Sequence, residues 1–487
     1  MDFAKLILFQ ARSRLQEPAI AFTGGVATYG VLASAVETAT GKLVAAGLKK
    51  GDVVAIDVRN PIQHVALIIA LGLCGMPSAS VQTSFNVEMS GLKPDAILID
   101  QHAKQPAGLR LVSVDDSWFL VDPEHPPDFV KLLALPGFAD EDAVVRIVFS
   151  SGTTGVPKST GFTGRNMEMR LAHASFTYGG GAVGGIRVLC LMGFSTFGGY
   201  LAMIGALASG GMACFAQQPG EVLHVLRMFN VDLLILAVVQ LQGVLAALGD
   251  GRPPLSLKTV TAGGSKIPAA LLKDAQARLC SNIIFGYGST EAGSMAHAPA
   301  SMLMQIDGAA GFAYPWVTLE AVDEEGRKVV PGETGIFRVK TSEQAYYVVE
   351  HPDNALLFRD GWFYPGDVGT LREDGLITVT GRSAEVINRG GSIVAPDLVE
   401  EVLTLHPSVA EAVAFGLPTK TGIDEIYAAV VAPDRFNEAE LLHFCRERLA
   451  DKAPGAIRRV DAIPRTDSGK PKRRQVREQV MAARPGG

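Results

Sequence analysis

Short β-rich runs alternate with helical patterns over residues 53–285 of the chain. The runs that read as strands are residues 53–56, 96–99, 233–236 and 281–284. Parallel strands need long crossover connections, which are usually helices, so this alternation predicts parallel sheets covered by helices. The expected fold class is therefore α/β, with doubly wound parallel sheets at its centre.

The secondary-structure pattern of the sequence changes after Pro315. Short alternating strands follow one another there, and turn signals lie at residues 323–326, 331–332 and 373–375. Glycine, proline and acidic residues at such positions are typical of tight connections between antiparallel strands. We therefore expect a smaller β-rich subdomain in this part of the chain.

A mixed α and β pattern returns from residue 381. Helices are predicted over about residues 397–405 and 438–449. At 487 residues the chain is too long for one ordinary hydrophobic core. We predict a large N-terminal domain over residues 1–380 and a small mobile α+β C-terminal domain over residues 381–487.

Charge and cysteine usage narrow the functional class. The formal net charge of −6 is mild and mixed in sign, which gives no reason to expect a nucleic-acid partner. The five cysteines show no Cys-x-x-Cys spacing, which favours a reducing compartment. The first residues lack an apolar segment followed by a cleavage site, so we expect a cytoplasmic protein.

Residues 188–216 carry no charge and are long enough to cross a bilayer. Six glycines interrupt this stretch, and it divides into a strand, a helix and a second strand. A buried βαβ unit has this pattern. We therefore predict no membrane span here.

Hydroxyls, glycines and one lysine are concentrated just after a predicted strand over residues 144–149. The run from Ser150 to Thr160 contains Lys158 and reads Ser-Ser-Gly-Thr-Thr-Gly-Val-Pro-Lys-Ser-Thr. Glycines let backbone N–H groups turn toward an anion, and the side chains add further donors, which favours a phosphate cradle over a solvated surface turn. A Walker A loop is excluded because Val156 and Pro157 separate Gly155 from the lysine.

Four further segments follow in a fixed order: residues 286–291, 361–367, 381–391 and 464–470. Together with the run from Ser150, they resemble the motifs of the adenylate-forming enzymes, which include acyl-CoA synthetases such as 4-coumarate, benzoate and fatty acid CoA ligases. The resemblance spans essentially the whole chain. The residues 332–335, Gly-Glu-Thr-Gly, also fit a family motif, and we interpret them as a structural turn.

The resemblance implies a role for individual residues. Thr290 would contact phosphate, and Glu291 would hold Mg²⁺ against the phosphates of ATP, a task that suits a carboxylate. Lys470 matches the adenylation lysine, whose ammonium can pair with both anions as the carboxylate attacks the α-phosphorus. The implied ATP-binding residues are Ser150, Ser151, Gly152, Thr153, Thr154, Gly155, Lys158, Gly286, Tyr287, Gly288, Asp367 and Arg382.

Asp367 would accept hydrogen bonds from the ribose hydroxyls, although Pro365 stands where the family usually has threonine. By the same resemblance Ala384 lies at the hinge between the two domains. Arg389, Gly390 and Gly391 would help to form the passage for the pantetheine of coenzyme A.

The acyl site departs from the family pattern. Acyl-CoA synthetases have a Phe-His pair here, and amino-acid adenylation domains have an aspartate, whereas this chain has Phe194 and Ser195. Without a carboxylate, an α-ammonium would be buried unpaired, so an amino-acid substrate is disfavoured. Small residues predict a roomy pocket for an aromatic or a medium- to long-chain aliphatic acid: Gly263, Gly264, Gly286, Gly288 and Gly293.

We therefore predict an ATP-dependent acid–thiol ligase that uses Mg²⁺, forms acyl-AMP with release of pyrophosphate, and then makes an acyl-CoA thioester. Its partners would be a small carboxylic acid, ATP and coenzyme A, and the protein would be a monomer or homodimer. One alternative is a stand-alone adenylating enzyme that loads a carrier protein. Another is a catalytically silent relative, prompted by Ser195, Pro365 and Ala384.

A nucleotide-dependent oxidoreductase is an alternative from a different class. It is prompted by the spacing of Gly179, Gly181 and Gly184. The spacing is a weak signal, because no convincing strand precedes it and no acidic residue follows about twenty positions on.

Overall fold

The computed structural model describes most of the chain. The described residues are 2–81, 90–100, 108–122, 124–138, 140–151, 157–178, 185–251, 253–254, 256–265, 267–306, 308–323, 325–347, 357–382, 387–388, 393–394, 396–418, 424–432, 435–449, 452–465 and 471–482. They form two compact units. The first unit contains the described residues up to Met304 and those within 341–354, and the second contains those of 305–340 and those from 355 onward.

The helices are α1 Phe3–Ser13, α2 Tyr29–Ala45, α3 Pro61–Leu73, α4 Phe129–Leu133, α5 Gly164–Tyr178, α6 Phe197–Ala208, α7 Val222–Met228, α8 Val238–Leu248, α9 Ala269–Arg278, α10 Ala300–Leu303, α11 Pro396–Thr404, α12 Glu438–Leu449 and α13 Arg473–Ala482. The strands are β1 Pro18–Phe22, β2 Gly25–Thr28, β3 Val54–Asp57, β4 Ser78–Ser80, β5 Ala96–Ile99, β6 Leu111–Ser113, β7 Val144–Ser151, β8 Pro157–Thr163, β9 Arg187–Cys190, β10 Met212–Cys214, β11 Leu233–Ala237, β12 Thr259–Gly263, β13 Ile283–Ser289, β14 Gly293–Pro299, β15 Ala309–Ala313, β16 Val317–Val322, β17 Thr334–Thr341, β18 Tyr346–Tyr347, β19 Phe358–Arg359, β20 Trp362–Phe363, β21 Asp367–Leu371, β22 Leu376–Arg382, β23 Ile387–Asn388, β24 Ile393–Val394, β25 Glu411–Pro418, β26 Asp424–Val431 and β27 Ala456–Arg459.

The first unit is built on two sheets. One has the strand order β18-β8-β7-β4-β3-β5-β6, and in the other β14-β13-β12-β11-β9-β10-β1-β2 lie side by side. The central pairs of both sheets are parallel, whereas β7–β8 and β13–β14 are antiparallel hairpins at the sites of two predicted motifs. This is the alternating α/β architecture that the sequence predicts.

Helix α3 shows how the sequence builds the core of the first unit. The Asn60 side chain caps its first turn by accepting hydrogen bonds from the N–H groups of Ile62 and Gln63, and Pro61 occupies the first helical turn. Eleven of its 13 residues are buried. A helix that is apolar on all sides must be covered on all sides, and α3 packs in the same core cluster as α1, α2 and α6.

The uncharged stretch over residues 188–216 forms the predicted strand, helix and strand, namely β9, α6 and β10. Strands β9 and β10 pair in parallel, so α6 is a crossover helix of a βαβ unit. A second core cluster packs α7, α8 and α9 with strands β9–β13. In the part of the chain that the structure describes, no helix is long and apolar enough to cross a membrane.

The second unit contains the predicted β-rich segment, in which β19-β20-β17-β21-β22-β15 are neighbours and β16 pairs with β17. Gly375, with φ of 83°, lies in the turn between β21 and β22, as the turn signal at residues 373–375 predicts. From residue 387 onward the unit contains the pair β23–β24, the sheet β25-β26-β27 and helices α11–α13. The domain boundary between residues 380 and 381 stays a prediction.

One predicted strand differs from the structure. Residues 281–284 were expected to form a strand, but β13 begins at Ile283 and continues to Ser289. Gly286 and Gly288 therefore lie within the strand, and the pairing with β14 shifts register between Tyr287 and Gly288. A Cβ on Gly288 would lie 2.4 Å from the carbonyl oxygen of Gly293, so glycine allows this close approach of the two strands.

Candidate active site

The β7–β8 hairpin positions the predicted phosphate-binding lysine. Lys158 pairs with Ser150 across the hairpin, and Ser151 pairs with Pro157. The Lys158 side chain is buried. Four predicted phosphate-binding residues of the connecting segment lie outside the described residues: Gly152, Thr153, Thr154 and Gly155.

The turn between β13 and β14 carries Thr290 and Glu291. The Ser289 hydroxyl accepts a hydrogen bond from the N–H of Ala292 at 3.0 Å, which closes the turn. Glu291 is only 8% exposed, and its carbonyl oxygen accepts a hydrogen bond from the N–H of Ala345 at 2.8 Å. The turn therefore has a fixed backbone before any ligand arrives.

Glu291 is the predicted metal-binding donor at this turn. Among the described residues there is no group of three or more His, Cys, Asp or Glu side chains that could hold a metal ion. Mg²⁺ bound with ATP usually takes one or two carboxylates and completes its shell with phosphate oxygens and water. A single carboxylate from Glu291 fits that requirement.

In the second unit, Asp367 and Arg382 face each other across β21 and β22. The Arg382 Nε lies 3.0 Å from the Asp367 Oδ1, and Arg382 Nη1 also donates to the Pro365 carbonyl. Pro365 is followed by Gly366, with φ of 79°, a pair typical of a type II turn. Arg382 therefore holds both the carboxylate and the turn before it, and the binding of ribose by Asp367 stays a prediction.

The acyl-site segment after β9 is tied to strand β7. The N–H of Phe149 donates to the Ser195 carbonyl at 3.0 Å, and Arg146 donates to the Phe194 carbonyl at 2.9 Å. The Phe194 ring stacks on His64, with centroids 4.4 Å apart and planes 12° apart. The predicted phosphate-binding hairpin and the predicted acyl-site segment thus form one hydrogen-bonded assembly.

Phe194 lines a small cavity of about 40 Å³ that is partly open to solvent. The cavity lies between α6, which contributes Ala202 and Met203, and strands β9 and β10, which contribute Cys190 and Cys214. Its lining is largely apolar. None of the glycines predicted to widen the acyl pocket is part of this lining.

The glycines predicted to widen the acyl pocket differ in what surrounds them. A Cβ on Gly263 would lie 2.8 Å from the Gly286 carbonyl oxygen, and one on Gly293 would lie 1.9 Å from the Glu343 carboxylate. Around Gly264 nothing lies within 4 Å of an added Cβ, although its φ of 86° favours glycine. Close backbone packing therefore explains Gly263 and Gly288, and the Glu343 side chain explains Gly293, without an open pocket.

Comparisons with known proteins identify the family. A model of the AMP-binding enzyme family matches residues 9–345, and a model of the AMP-binding enzyme C-terminal domain matches residues 398–470. The chain belongs to the AMP-binding enzyme family. The predicted resemblance to the adenylate-forming enzymes is confirmed, as is the predicted class of AMP-forming acid–thiol ligase.

Two curated relatives match over most of their length. A 2-succinylbenzoate–CoA ligase of Bacillus licheniformis is 30% identical over 88% of this chain and 90% of the relative. A fatty acid–[acyl-carrier-protein] ligase of Streptomyces coeruleorubidus is 29% identical over 97% of this chain and 95% of the relative. The two relatives are named for an aromatic acid and for an aliphatic acid.

A solved structure confirms the α/β fold of this AMP-binding enzyme. The o-succinylbenzoate CoA synthetase of Bacillus subtilis, in complex with its acyl-adenylate intermediate, superimposes with a TM-score of 0.85 at 24% identity, over 99% of each chain. The same enzyme in complex with ATP and magnesium has a TM-score of 0.84 at 24% identity, over 97% of this chain and 99% of that one.

Several predicted residues of the enzyme lie outside the described residues: Ala384, Arg389, Gly390, Gly391 and Lys470. Their roles stay predictions. The glycine spacing at residues 179–184 also lies outside, but the segment before it is helix α5. A dinucleotide-binding glycine run follows a strand, so this helix weighs against the oxidoreductase alternative.

Sequence reasoning missed two buried arginines of the site. Arg146 lies in the strand run that was read only as a strand, and Arg170 shares the buried stripe of α5 with Met167 and Leu171. A charged residue at a buried position of a strand or helix needs partners. An arginine within an apolar stripe was therefore the signal by which the sequence could have indicated these two residues. Their partners Ser80 and Glu343 are 66 and 173 residues away.

Proposed function

We propose that the protein is an ATP-dependent carboxylic acid:CoA ligase. In the first step the carboxylate attacks the α-phosphorus of ATP, which forms acyl-AMP and releases pyrophosphate. In the second step the thiol of coenzyme A attacks the acyl carbonyl, which forms a thioester and releases AMP. The ligase class is shared with the relatives, and the relatives' names support coenzyme A, ATP and magnesium as the co-substrates and metal.

The observation that carries the proposal is the meeting of three predicted segments in the first unit. Phe149 and Arg146 tie the phosphate-binding hairpin to the acyl-site segment at Phe194 and Ser195. Arg170 contacts the same hairpin and the turn that holds Glu291. A site that joins phosphate-binding, metal-binding and acyl-binding segments is what carboxylate activation by ATP requires.

Different residues of this chain are proposed to bind the phosphates, the metal, the reacting groups and the nucleoside. Lys158 and the hydroxyls near it hold the phosphates that leave, and Glu291 holds Mg²⁺, which would neutralise phosphate charge when bound. Lys470 pairs with the attacking carboxylate and the α-phosphate as charge builds up. Asp367 and Arg382 hold the nucleoside end. In the second step the small domain turns to admit the thiol past Arg389, Gly390 and Gly391, with Ala384 as the hinge.

The proposed substrate is an aromatic or a medium- to long-chain aliphatic carboxylic acid. The largely apolar lining of the cavity beside Phe194 supports an apolar acyl group, and the relatives are named for one acid of each kind. The proposed location is the cytoplasm, which rests on the cysteine pattern of the sequence. The oligomeric state, monomer or homodimer, belongs to the same proposal.

Pyrophosphate release measured over a panel of carboxylic acids, with and without coenzyme A, tests this function. We expect release with aromatic or aliphatic acids, and an acyl-CoA product by mass spectrometry when coenzyme A is present. Release with no acid of the panel would contradict the proposal and favour a catalytically silent relative.

A second candidate is the transfer of the acyl group to a carrier protein. It is favoured by the fatty acid–[acyl-carrier-protein] ligase among the relatives. Incubation of the protein with ATP, the best acid of the panel and either coenzyme A or a phosphopantetheinylated carrier protein separates the two. Acyl transfer to the carrier protein alone would establish the second candidate.

The Lys470→Ala variant tests the two-step division. Loss of this ammonium is expected to lower acyl-AMP formation by about two orders of magnitude or more, because it removes charge stabilisation in the adenylation transition state. Thioester formation from preformed acyl-AMP and coenzyme A should persist. Equal loss of both half-reactions, measured separately, would contradict the role of Lys470.

A further inference from the structure

Arg170 is a fully buried arginine on α5 whose contacts converge on the Thr290–Glu291 turn. Its Nη2 donates to the carbonyl oxygen of Thr290 at 3.2 Å and to that of Glu291 at 3.0 Å. These two carbonyls belong to the peptide groups on either side of the Glu291 Cα. Fixing both peptide planes fixes the backbone torsions of Glu291, and with them the direction in which its side chain leaves the backbone.

Glu343 holds the guanidinium in this place. The Glu343 carbonyl accepts from Arg170 Nε at 3.0 Å and from Nη2 at 2.6 Å, and its carboxylate Oε2 lies 3.8 Å from Nε. His173, one turn further along α5, has its Nδ1 2.5 Å from the other carboxylate oxygen, Oε1. Both side chains of the ion pair are almost fully buried, so solvent does not screen the attraction.

Two aromatic rings complete the surroundings of Arg170. The guanidinium carbon lies 4.6 Å from the Phe162 ring centroid and 4.2 Å from the Phe197 ring centroid. Phe162 belongs to β8, the strand that carries Lys158, and Phe197 begins α6 just after the acyl-site segment. The arginine therefore locates the metal-site turn relative to the two other segments of the site.

We propose that Arg170, held by Glu343, is a positioning residue for metal binding: it fixes the backbone of Glu291 so that this carboxylate is already aimed at the Mg²⁺ of MgATP. The inference rests on the proposed function, since it concerns the same site. Groups that orient a metal ligand without touching the metal commonly change metal affinity by one to two orders of magnitude. Arg170 and Glu343 are such groups for Glu291.

Binding of a non-hydrolysable MgATP analogue to the full chain, measured by isothermal titration calorimetry, tests the proposal without turnover. The first variant is Arg170→Lys, which keeps the charge but replaces the planar set of donors by one ammonium group. Its dissociation constant for the Mg²⁺ form of the analogue is expected to rise about tenfold or more. Electron paramagnetic resonance of Mn²⁺ bound beside the analogue should show the same loss.

Two readouts separate positioning from general loss of structure. The affinity of a stable acyl-AMP analogue measured without metal should stay at the wild-type value in Arg170→Lys. The matched control is Arg278→Lys, since Arg278 in the same unit also donates to a carboxylate, that of Asp274, and to two carbonyl oxygens, those of Leu245 and Gly249, outside the proposed site. This control is expected to keep the wild-type affinity for the metal and the MgATP analogue.

Glu343→Gln is the second variant, because it removes the charge of the ion pair while preserving the shape of the side chain. It should weaken the metal-dependent binding in the same direction and by less. Wild-type metal affinity in folded Arg170→Lys or in folded Glu343→Gln would overturn the proposal, and so would an equal loss in Arg278→Lys. Failure of the wild-type protein to bind the MgATP analogue would instead overturn the proposed function.

Discussion

Arg170 and Arg146 are both fully buried in the first unit, but their charges have different partners. Arg170 faces the carboxylate of Glu343. The hydrogen bonds of Arg146 go to neutral groups, and its guanidinium carbon lies 4.5 Å from the Tyr200 ring centroid. Burial lowers the pKa of each arginine to about 10, so both remain charged at neutral pH.

The difference matches what each region is proposed to bind. Near Glu291 a cation is expected, and an arginine paired with a carboxylate supplies rigidity with little net charge. Near Phe194 a carboxylate substrate is expected, and a further acidic side chain there would repel it. On the proposed acyl side, the described hydrogen bonds of Arg146 go to neutral dipoles, so they bring no anion that would repel the incoming acid.

The largest loss of stability is expected where one partner of a buried ion pair is removed. Arg170→Met should lower the free energy of unfolding by about 3 to 5 kcal/mol, because it leaves the Glu343 carboxylate buried beside His173 alone. Urea denaturation of the variant measures the loss. The double variant Arg170→Met with Glu343→Gln should recover about 1 kcal/mol or more, as coupled neighbours do. Strict additivity of the two changes would contradict the ion pair.

His64 gives the acyl side a dependence on pH. The pKa of His64 is lowered to about 4, mainly by burial; the hydrogen bond with the Val58 carbonyl opposes the shift, and the nearby Arg146 charge adds to it. The unfolded chain takes up a proton at His64 below its ordinary pKa of 6.5, whereas the folded chain does so only near 4. Its contribution to stability is therefore present above pH 6.5 and falls as the pH is lowered toward 4.

The shift corresponds to roughly 3 kcal/mol over that range. Denaturation of the wild-type protein and of His64→Gln at several pH values between 4 and 7 isolates this contribution. The difference between the two proteins should depend on pH in this window. A difference that stays constant would show that the two states of His64 titrate alike.

A smaller effect is expected where no charge is left behind. Arg146→Met should lower the free energy of unfolding by about 1 to 3 kcal/mol, the cost of leaving the Phe194 carbonyl and the two serine hydroxyls without their donor. Urea denaturation beside Arg170→Met tests the comparison directly. If Arg146→Met lowers the free energy of unfolding as much as Arg170→Met or more, the Glu343 carboxylate does not make the two arginines differ in their contribution to stability.

The sequence predicts much of the fold because its signals there are local. Helix α12 was predicted over the same residues, 438–449, that the structure shows, and residues 188–216 divide as expected into β9, α6 and β10. Each of these predictions depends on periodicity or charge within one short segment. The alternation of strands and helices that predicts parallel sheets is a series of such short segments.

The partners of the buried arginines could not be predicted in the same way. Glu343 reaches Arg170 because helix α5 and the chain near residue 343 come together in the fold, and no spacing in the sequence encodes that contact. The glycines predicted to widen the acyl pocket show a second limit of sequence-based prediction. For them, the absence of a side chain was interpreted as open space. At Gly288 and Gly293 it reflects the close approach of two backbones or of the Glu343 side chain.

The measurement that tests the central claim most directly is the transfer of oxygen-18 from a carboxylic acid labelled at both carboxylate oxygens. If the acid attacks the α-phosphorus and the thiol then attacks the acyl carbonyl, one labelled oxygen must leave with AMP. We predict one oxygen-18 in each AMP, one in each acyl thioester and none in pyrophosphate, by mass spectrometry of the products. AMP without label, or label in pyrophosphate, would contradict activation of the acid through acyl-AMP.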